Sequence, residues 1–333
     1  MQQALKWLVQ QQDEQGSFGE YPAMTALVLS SIMRFNEYVS LDHPVVARAY
    51  AYLESCVQED GSIHRGELPN YNTSICLMAF KDARSNRFAD IVRRGEKFLM
   101  QLQIDEEEGY TRDSLFYGGV GYGGDERPDM SNLQMALEAV YYSREAFEPE
   151  RHLSRDELLR KEEKALFFDK ALVFLSRCQN LESVNPENYA TNDGGFMYDP
   201  GRSKIGETHS MGTMSYAGLK SMIYANVDRE DARVRSVVDW VRNNYRIDET
   251  PNAGTMSLFY YYHTMAKALA VYGADMIQTI DEQSHNWREE LAAQLIRIQN
   301  EAGWWQNENG RYMENNRVLV TSYSVLALEE IIK

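Results

Sequence analysis

A chain of 333 residues, 44% of them hydrophobic, carries enough apolar material for a large core. Its 50 acidic residues against 34 basic ones leave a formal charge of -16, which repels a phosphate backbone, and no stretch gathers arginines and aromatics into a basic stripe, so nucleic acid is excluded as a partner. No apolar run reaches the length a bilayer needs, about eighteen residues, so no transmembrane segment is expected.

The opening "MQQALKWLVQQQ" has the apolar spacing of an amphipathic helix and lacks a basic stretch followed by an apolar one. As given, the chain reads as soluble and cytoplasmic; as the trimmed mature form of a longer product, it reads as exported. From there one pattern recurs: an aromatic and an aliphatic, a glutamine four residues on, then a glycine and a further apolar side chain. The first copy is Trp7, Leu8, Gln12, Gly16 and Phe18. Tyr52 and Leu53 with Gly61, Phe98 and Leu99 with Gln103 and Gly109, and Phe174 and Leu175 with Gln179 and Gly194 follow. A weaker copy runs from Trp240 and Val241 to Gly254, and the last is Leu295, Gln299, Gly303 and Trp305.

After each glycine turn comes a second apolar run opening on small or hydroxylated residues, at Thr25, Thr73, Ser131, Gly212, Gly254 and Thr321. The apolar period is helical throughout, so the chain is predicted to be all-α, six helix hairpins in one domain over 1–333 with repeats at 4–33, 48–80, 94–140, 170–222, 236–270 and 291–332. The second helix of each pair carries less charge than the first. That contrast predicts closure into an (α/α)6 toroid, charged helices outside, with a central cavity at the end where the inner helices begin. Cys56, Cys76 and Cys178 lie inside apolar helical runs without metal-ligand spacing and read as buried thiols.

Two connections are long. The third, "YGGVGYGGDERPDMSN" over 117–132, carries Gly118, Gly119, Gly121, Gly123 and Gly124 ahead of Asp129. Asp129 reads either as the cap of the following helix or as an acid facing a ligand. The fourth connection holds Asp193, Glu207 and His209, where a carboxylate and an imidazole two positions apart either share a proton or satisfy a turn. Asp129, Glu207 and His209 are the catalytic candidates. Tyr71, Asn72, Tyr117, Tyr122, Asp193, Tyr216, Tyr261, His263, Trp304 and Tyr323 are candidates for contact with a small-molecule or lipid substrate in the central cavity. Tyrosine faces stabilise cations, and their hydroxyls suit a sugar equally well.

The repeated element, clearest in "RRGEKFLMQLQ" and "DKALVFLSRCQ", resembles the QW motif of squalene and oxidosqualene cyclases and the related repeat of protein prenyltransferase β subunits. The resemblance implies a toroid in which the motif glutamines staple neighbouring hairpins, and an isoprenoid-type ligand that is bound, isomerised or cyclised by acid catalysis. It places the family's D-x-D-D element at Asp129-Met130-Ser131-Asn132, where only the first aspartate is present and Ser131 stands at the proton donor's position. The D-x-C zinc pair of protein prenyltransferases and the D-D-x-x-D magnesium element of ionising terpene synthases are both missing, so neither metal nor cofactor is expected. Closed rings of six helix pairs also host glycosidases and lyases, for which Asp129 with Glu207 or Asp193 would be the carboxyl pair. A non-catalytic binding scaffold is the third reading; the thioester G-C-G-E-Q segment of related rings is absent.

Overall fold

A computed structural model of the chain describes residues 1–35, 39–123, 127–143 and 154–333, and Gly124 of the third connection lies outside them. The described chain is all-α. Odd-numbered helices are α1 (Gln2–Val9), α3 (Pro44–Ser55), α5 (Ala89–Gln101), α7 (Arg155–Cys178), α9 (Ala232–Asn244) and α11 (Trp287–Ile298). Even-numbered ones are α2 (Pro22–Phe35), α4 (Pro69–Asp82), α6 (Met130–Tyr142), α8 (Gly212–Tyr224), α10 (Leu258–Tyr272) and α12 (Arg317–Ile332). A short antiparallel hairpin, β1 (Ile277–Gln278) with β2 (Ser284–His285), lies between α10 and α11.

Several even helices begin earlier than the apolar pattern alone predicts. Pro22 and Pro69 pre-set the backbone angle of a first helical residue, so α2 and α4 start ahead of Thr25 and Thr73. In the fifth pair the start moves the other way: Thr250 and Gly254 bridge across a turn, and α10 begins only at Leu258.

The even helices pack in cyclic order, α2 on α4, α4 on α6, α6 on α8, α8 on α10, α10 on α12, and α12 back on α2. They are buried on nearly every side, whereas α3, α5 and α9 bury one face against α2, α4 and α8. The three cysteines are buried and unpaired inside this packing.

The recurring glutamine explains how successive pairs are joined. Gln103 donates to the Gly118 carbonyl of its own repeat (3.0 Å) and to the Phe167 carbonyl of the next outer helix (3.0 Å). Gln12 does the same with Gly16 (3.1 Å) and Val45 (2.9 Å), and Gln179 with Gly194 (3.0 Å) and Arg233 (2.8 Å). The glycine beside each glutamine touches that same neighbour. At Gly118 φ is +81° and a Cβ would lie 1.9 Å from the Lys170 carbonyl oxygen, so no side chain fits. Gly109, which the sequence pattern puts in this role, has open space around it; the bridge between Gln103 and Val120 sets Gly118 there instead. A hydroxyl early in α2, α4, α8 and α12 closes the unit: Thr25, Thr73, Ser215 and Thr321 accept from the backbone N–H of Phe18, Ile63, Phe196 and Trp305 at 2.8–3.1 Å.

Candidate functional site

The even helices share a direction. Their first turns meet at one end, where Tyr71 of α4 reaches Tyr323 of α12 and Tyr260 of α10 reaches Ser131 of α6. Their last turns meet at the other, where Arg34 of α2 pairs with Asp82 of α4 and Glu330 of α12.

At the first end the tyrosines gather. The hydroxyls of Tyr71 and Tyr323 hydrogen-bond at 2.7 Å, and the Tyr260 and Tyr323 rings lie 5.9 Å apart. Gln134 donates to the Tyr260 hydroxyl (2.8 Å). Tyr122 and Tyr198 approach to 3.4 Å, and Tyr198 hydrogen-bonds the carboxylate of Asp129. Tyr122 is 38% exposed, so this mouth opens to solvent.

Asp129 is the N-cap of α6. Its two oxygens accept from the backbone N–H of Asn132 (2.9 Å) and the Asn132 side-chain amide (2.8 Å). Because Asp129 holds the cap, Ser131 falls inside the first helical turn and directs its hydroxyl at Tyr260. Burial pushes the Asp129 carboxyl above its ordinary value, against the pull of those donors and of Tyr198. A carboxyl in a dry wall with several donors on it is suited to holding a proton and to stabilising the anion left behind.

A second buried carboxyl, which sequence reasoning missed, faces the same cluster. Glu314 is 1% exposed and accepts from the backbone N–H of Tyr260 (2.8 Å) and Phe259 (3.3 Å) and from Asn307 (2.7 Å). It caps α10 from the sixth connection, because the residue before α10, Ser257, is left-handed and makes no side-chain cap of its own. Burial raises its carboxyl too. Tyr260 spans the two acids, its backbone N–H on Glu314 and its hydroxyl at Ser131, two residues from Asp129. The sequence signal was an acid just ahead of a second helical run, as for Asp129. Leu68 and Ser257, both in the left-handed region, stand immediately before α4 and α10, and Tyr312 and Met313, also left-handed, lie in the turn ahead of α12. Such backbone strain persists only where surrounding packing enforces it.

Of the residues singled out in the sequence, Asp129, Tyr71, Tyr122 and Tyr323 are brought together here. Tyr260 takes the inward face of α10 along with His263, three residues on, so Tyr261 turns away and donates to the Arg246 carbonyl (2.8 Å). Tyr216 packs edge-on against Tyr261, their rings 5.6 Å apart. Asn72 spends its side chain on the backbone of Ala23, Glu67 and Leu68. Tyr117 donates to Glu106 (2.8 Å), and Trp304 lies under the Arg317 guanidinium at 4.0 Å while Trp305 is buried. Asp193 accepts from the backbone N–H of Gly195 (3.0 Å) in its own turn and from the Ser210 hydroxyl (2.6 Å) farther along the fourth connection. Glu207 and His209 are exposed and 3.9 Å apart on the fourth connection.

Below the mouth, a cavity lined from all six even helices has a volume of only about 30 Å³, space for about one water. Its lower wall is charged: Glu138 of α6 receives Lys220 of α8 and Lys267 of α10. Burial opposes the charge on Glu138, but the two ammonium groups outweigh it and hold the carboxyl well below the usual range. Pockets that enclose a small-molecule ligand are commonly about 300–1,000 Å³, so the centre of the fold is filled where the sequence predicts a ligand cavity. Among the described residues no group of His, Cys, Asp and Glu is placed to hold a metal ion, and no helix is long and apolar enough to cross a membrane. No protein-family model matches the chain, and no curated protein matches it.

Proposed function

We propose that the chain is an (α/α)6 toroid of the squalene-cyclase and prenyltransferase repeat type that binds an isoprenoid-type ligand by its end at the tyrosine mouth. The observation that carries this reading is the convergence of Tyr71, Tyr122, Tyr198, Tyr260 and Tyr323 beside the buried carboxyl of Asp129. Phenol faces suit an alkene or a developing cation, and Asp129 is the group that would deliver a proton. The filled centre leaves no room to fold a long polyene, which favours binding or a single proton-transfer isomerisation over multi-ring cyclisation. The test is incubation with squalene and shorter polyprenols, followed by product analysis and by tyrosine fluorescence. Saturable quenching that persists in Asp129→Asn, with any product lost, supports the reading; no quenching and no product removes it.

Glu314 favours a second reading. Two buried carboxyls with raised pKa, spanned by Tyr260, resemble the paired acids of glycoside chemistry, and Asp129 with Glu314 replaces Asp129 with Glu207 or Asp193 as the pair to test. Release of reducing ends from an oligosaccharide panel, abolished by Glu314→Gln, would support it. Binding of either ligand class without turnover would leave the scaffold reading.

A further inference from the structure

The outward side of α7 is apolar where a helix side facing water is ordinarily charged. α7 runs over 24 residues, against 8 to 13 for the other odd helices, and none of its residues over 155–166 is buried. Leu158, Leu159 and Leu166 are 48%, 48% and 53% exposed, whereas among the described residues no other helix leaves more than one large hydrophobic side chain exposed. Single exposed leucines are ordinary; three on one helix mark a contact face.

Helical spacing brings the three together. Arg155, Leu159, Glu162, Leu166 and Asp169 follow one another at steps of four and three along one side of α7, with Leu158 and Ala165 beside them. Phe167, Ala171 and Phe174 are buried on the opposite side. The charges divide in the same way. Lys164 is answered by Glu96, and Lys170 by Asp105 (2.7 Å) and Glu106 (2.7 Å), all within the fold. Arg155 and Asp169, on the leucine side, have no ion-pair partner among the described residues. They stand at opposite ends of the stripe, about 21 Å apart along the helix axis.

Opposite charges at the two ends of an apolar stripe make the face complementary to itself. A second α7 laid against it antiparallel sets each Arg155 on the other copy's Asp169 with the leucines between, while a parallel copy sets like charge on like. We propose that this face of α7 docks a second copy of the chain as a two-fold antiparallel helix pair. Glu162 falls midway between Arg155 and Asp169, so the two Glu162 carboxylates lie nearest the two-fold axis and repel each other. That repulsion and the modest apolar area make the dimer a weak, reversible one. It is independent of what the tyrosine mouth binds.

Sedimentation velocity of the full chain from about 1 to about 200 µM tests it, and a concentration-dependent passage from monomer to dimer is expected. Leu159→Asp, at an exposed position that the fold does not use, should weaken association at least about tenfold. Glu162→Gln should tighten it. Arg155→Asp and Asp169→Arg should each weaken it about tenfold, and the double variant, which exchanges the two charges, should recover it. Far-ultraviolet circular dichroism and Tm check that each variant is folded. A monomer over the whole range overturns the proposal, as does association that Leu159→Asp leaves unchanged, that Glu162→Gln weakens, or that the charge exchange fails to recover. A monomer that adsorbs to phosphatidylcholine vesicles through the same leucines also overturns it, and makes a lipid surface the occupant of the face.

Discussion

Replacing Glu329 with glutamine should stabilise the protein, and the gain should grow with pH. The Glu329 side chain is 2% exposed and neither of its oxygens has a hydrogen-bond partner. Burial raises its pKa; Arg34 pulls the other way, Asp82 and Glu330 add to the rise, and the result is about 9 against an ordinary 4.5. Between those values the native state keeps a proton that the unfolded chain has lost. Stability from this group is therefore complete below about pH 4.5 and drains away as pH rises towards 9. One pKa unit corresponds to about 1.4 kcal/mol, so the group removes roughly 4 kcal/mol between pH 5 and pH 8. Glutamine is a neutral isostere that does not titrate, and the variant should lack that decline. Urea unfolding followed by far-ultraviolet circular dichroism at pH 5, 6, 7 and 8 reads the difference directly. The two proteins should agree within about 1 kcal/mol at pH 5 and diverge steadily above it. A gap that stays constant from pH 5 to pH 8 would refute the assignment of a buried, proton-bearing carboxyl.

Four further outcomes follow from the packing, each read by denaturant titration or thermal unfolding. Gly118→Ala puts a methyl into the Lys170 carbonyl at a left-handed backbone position, and should cost about 4 kcal/mol or more. Gln103→Leu strips the donor from two buried carbonyls at once and should cost about 2–4 kcal/mol. Glu138→Gln leaves Lys220 and Lys267 without their carboxylate and should cost about 3–5 kcal/mol at neutral pH. Because the folded pKa of Glu138 lies below the ordinary one, the wild-type advantage should be present above the unfolded carboxyl's pKa and vanish as pH falls through the folded value. Asp129→Ala should lose about 1–2 kcal/mol as a missing helix cap, and Asp129→Asn less than that.

The repeat was legible because it is local. Gln12, Gln103 and Gln179 each act through a glycine of their own repeat and a carbonyl of the next one, so a fixed spacing records the staple. Asp129 was legible as a position but not as a role; its capping bond to Asn132 was decided by where α6 begins. Within the run 260–263, helical geometry dictated that some side chain faces inward, and hydrogen bonds of Tyr261 and Tyr262 to the loop after α9 left Tyr260 and His263 as the inward pair.

What the sequence determined by itself, then, was the helical character and the joints made by Gln12, Gln103 and Gln179, since periodicity and turn chemistry act over a few residues. Only the tertiary structure decided what occupies the middle. Glu138, Lys220 and Lys267 stand as single charges in otherwise apolar helices, about 50 to 80 residues apart from their nearest partner along the chain. No local rule couples charges at such separations, and it took the cyclic packing of six helices to bring them to one point and close the space that the sequence left open.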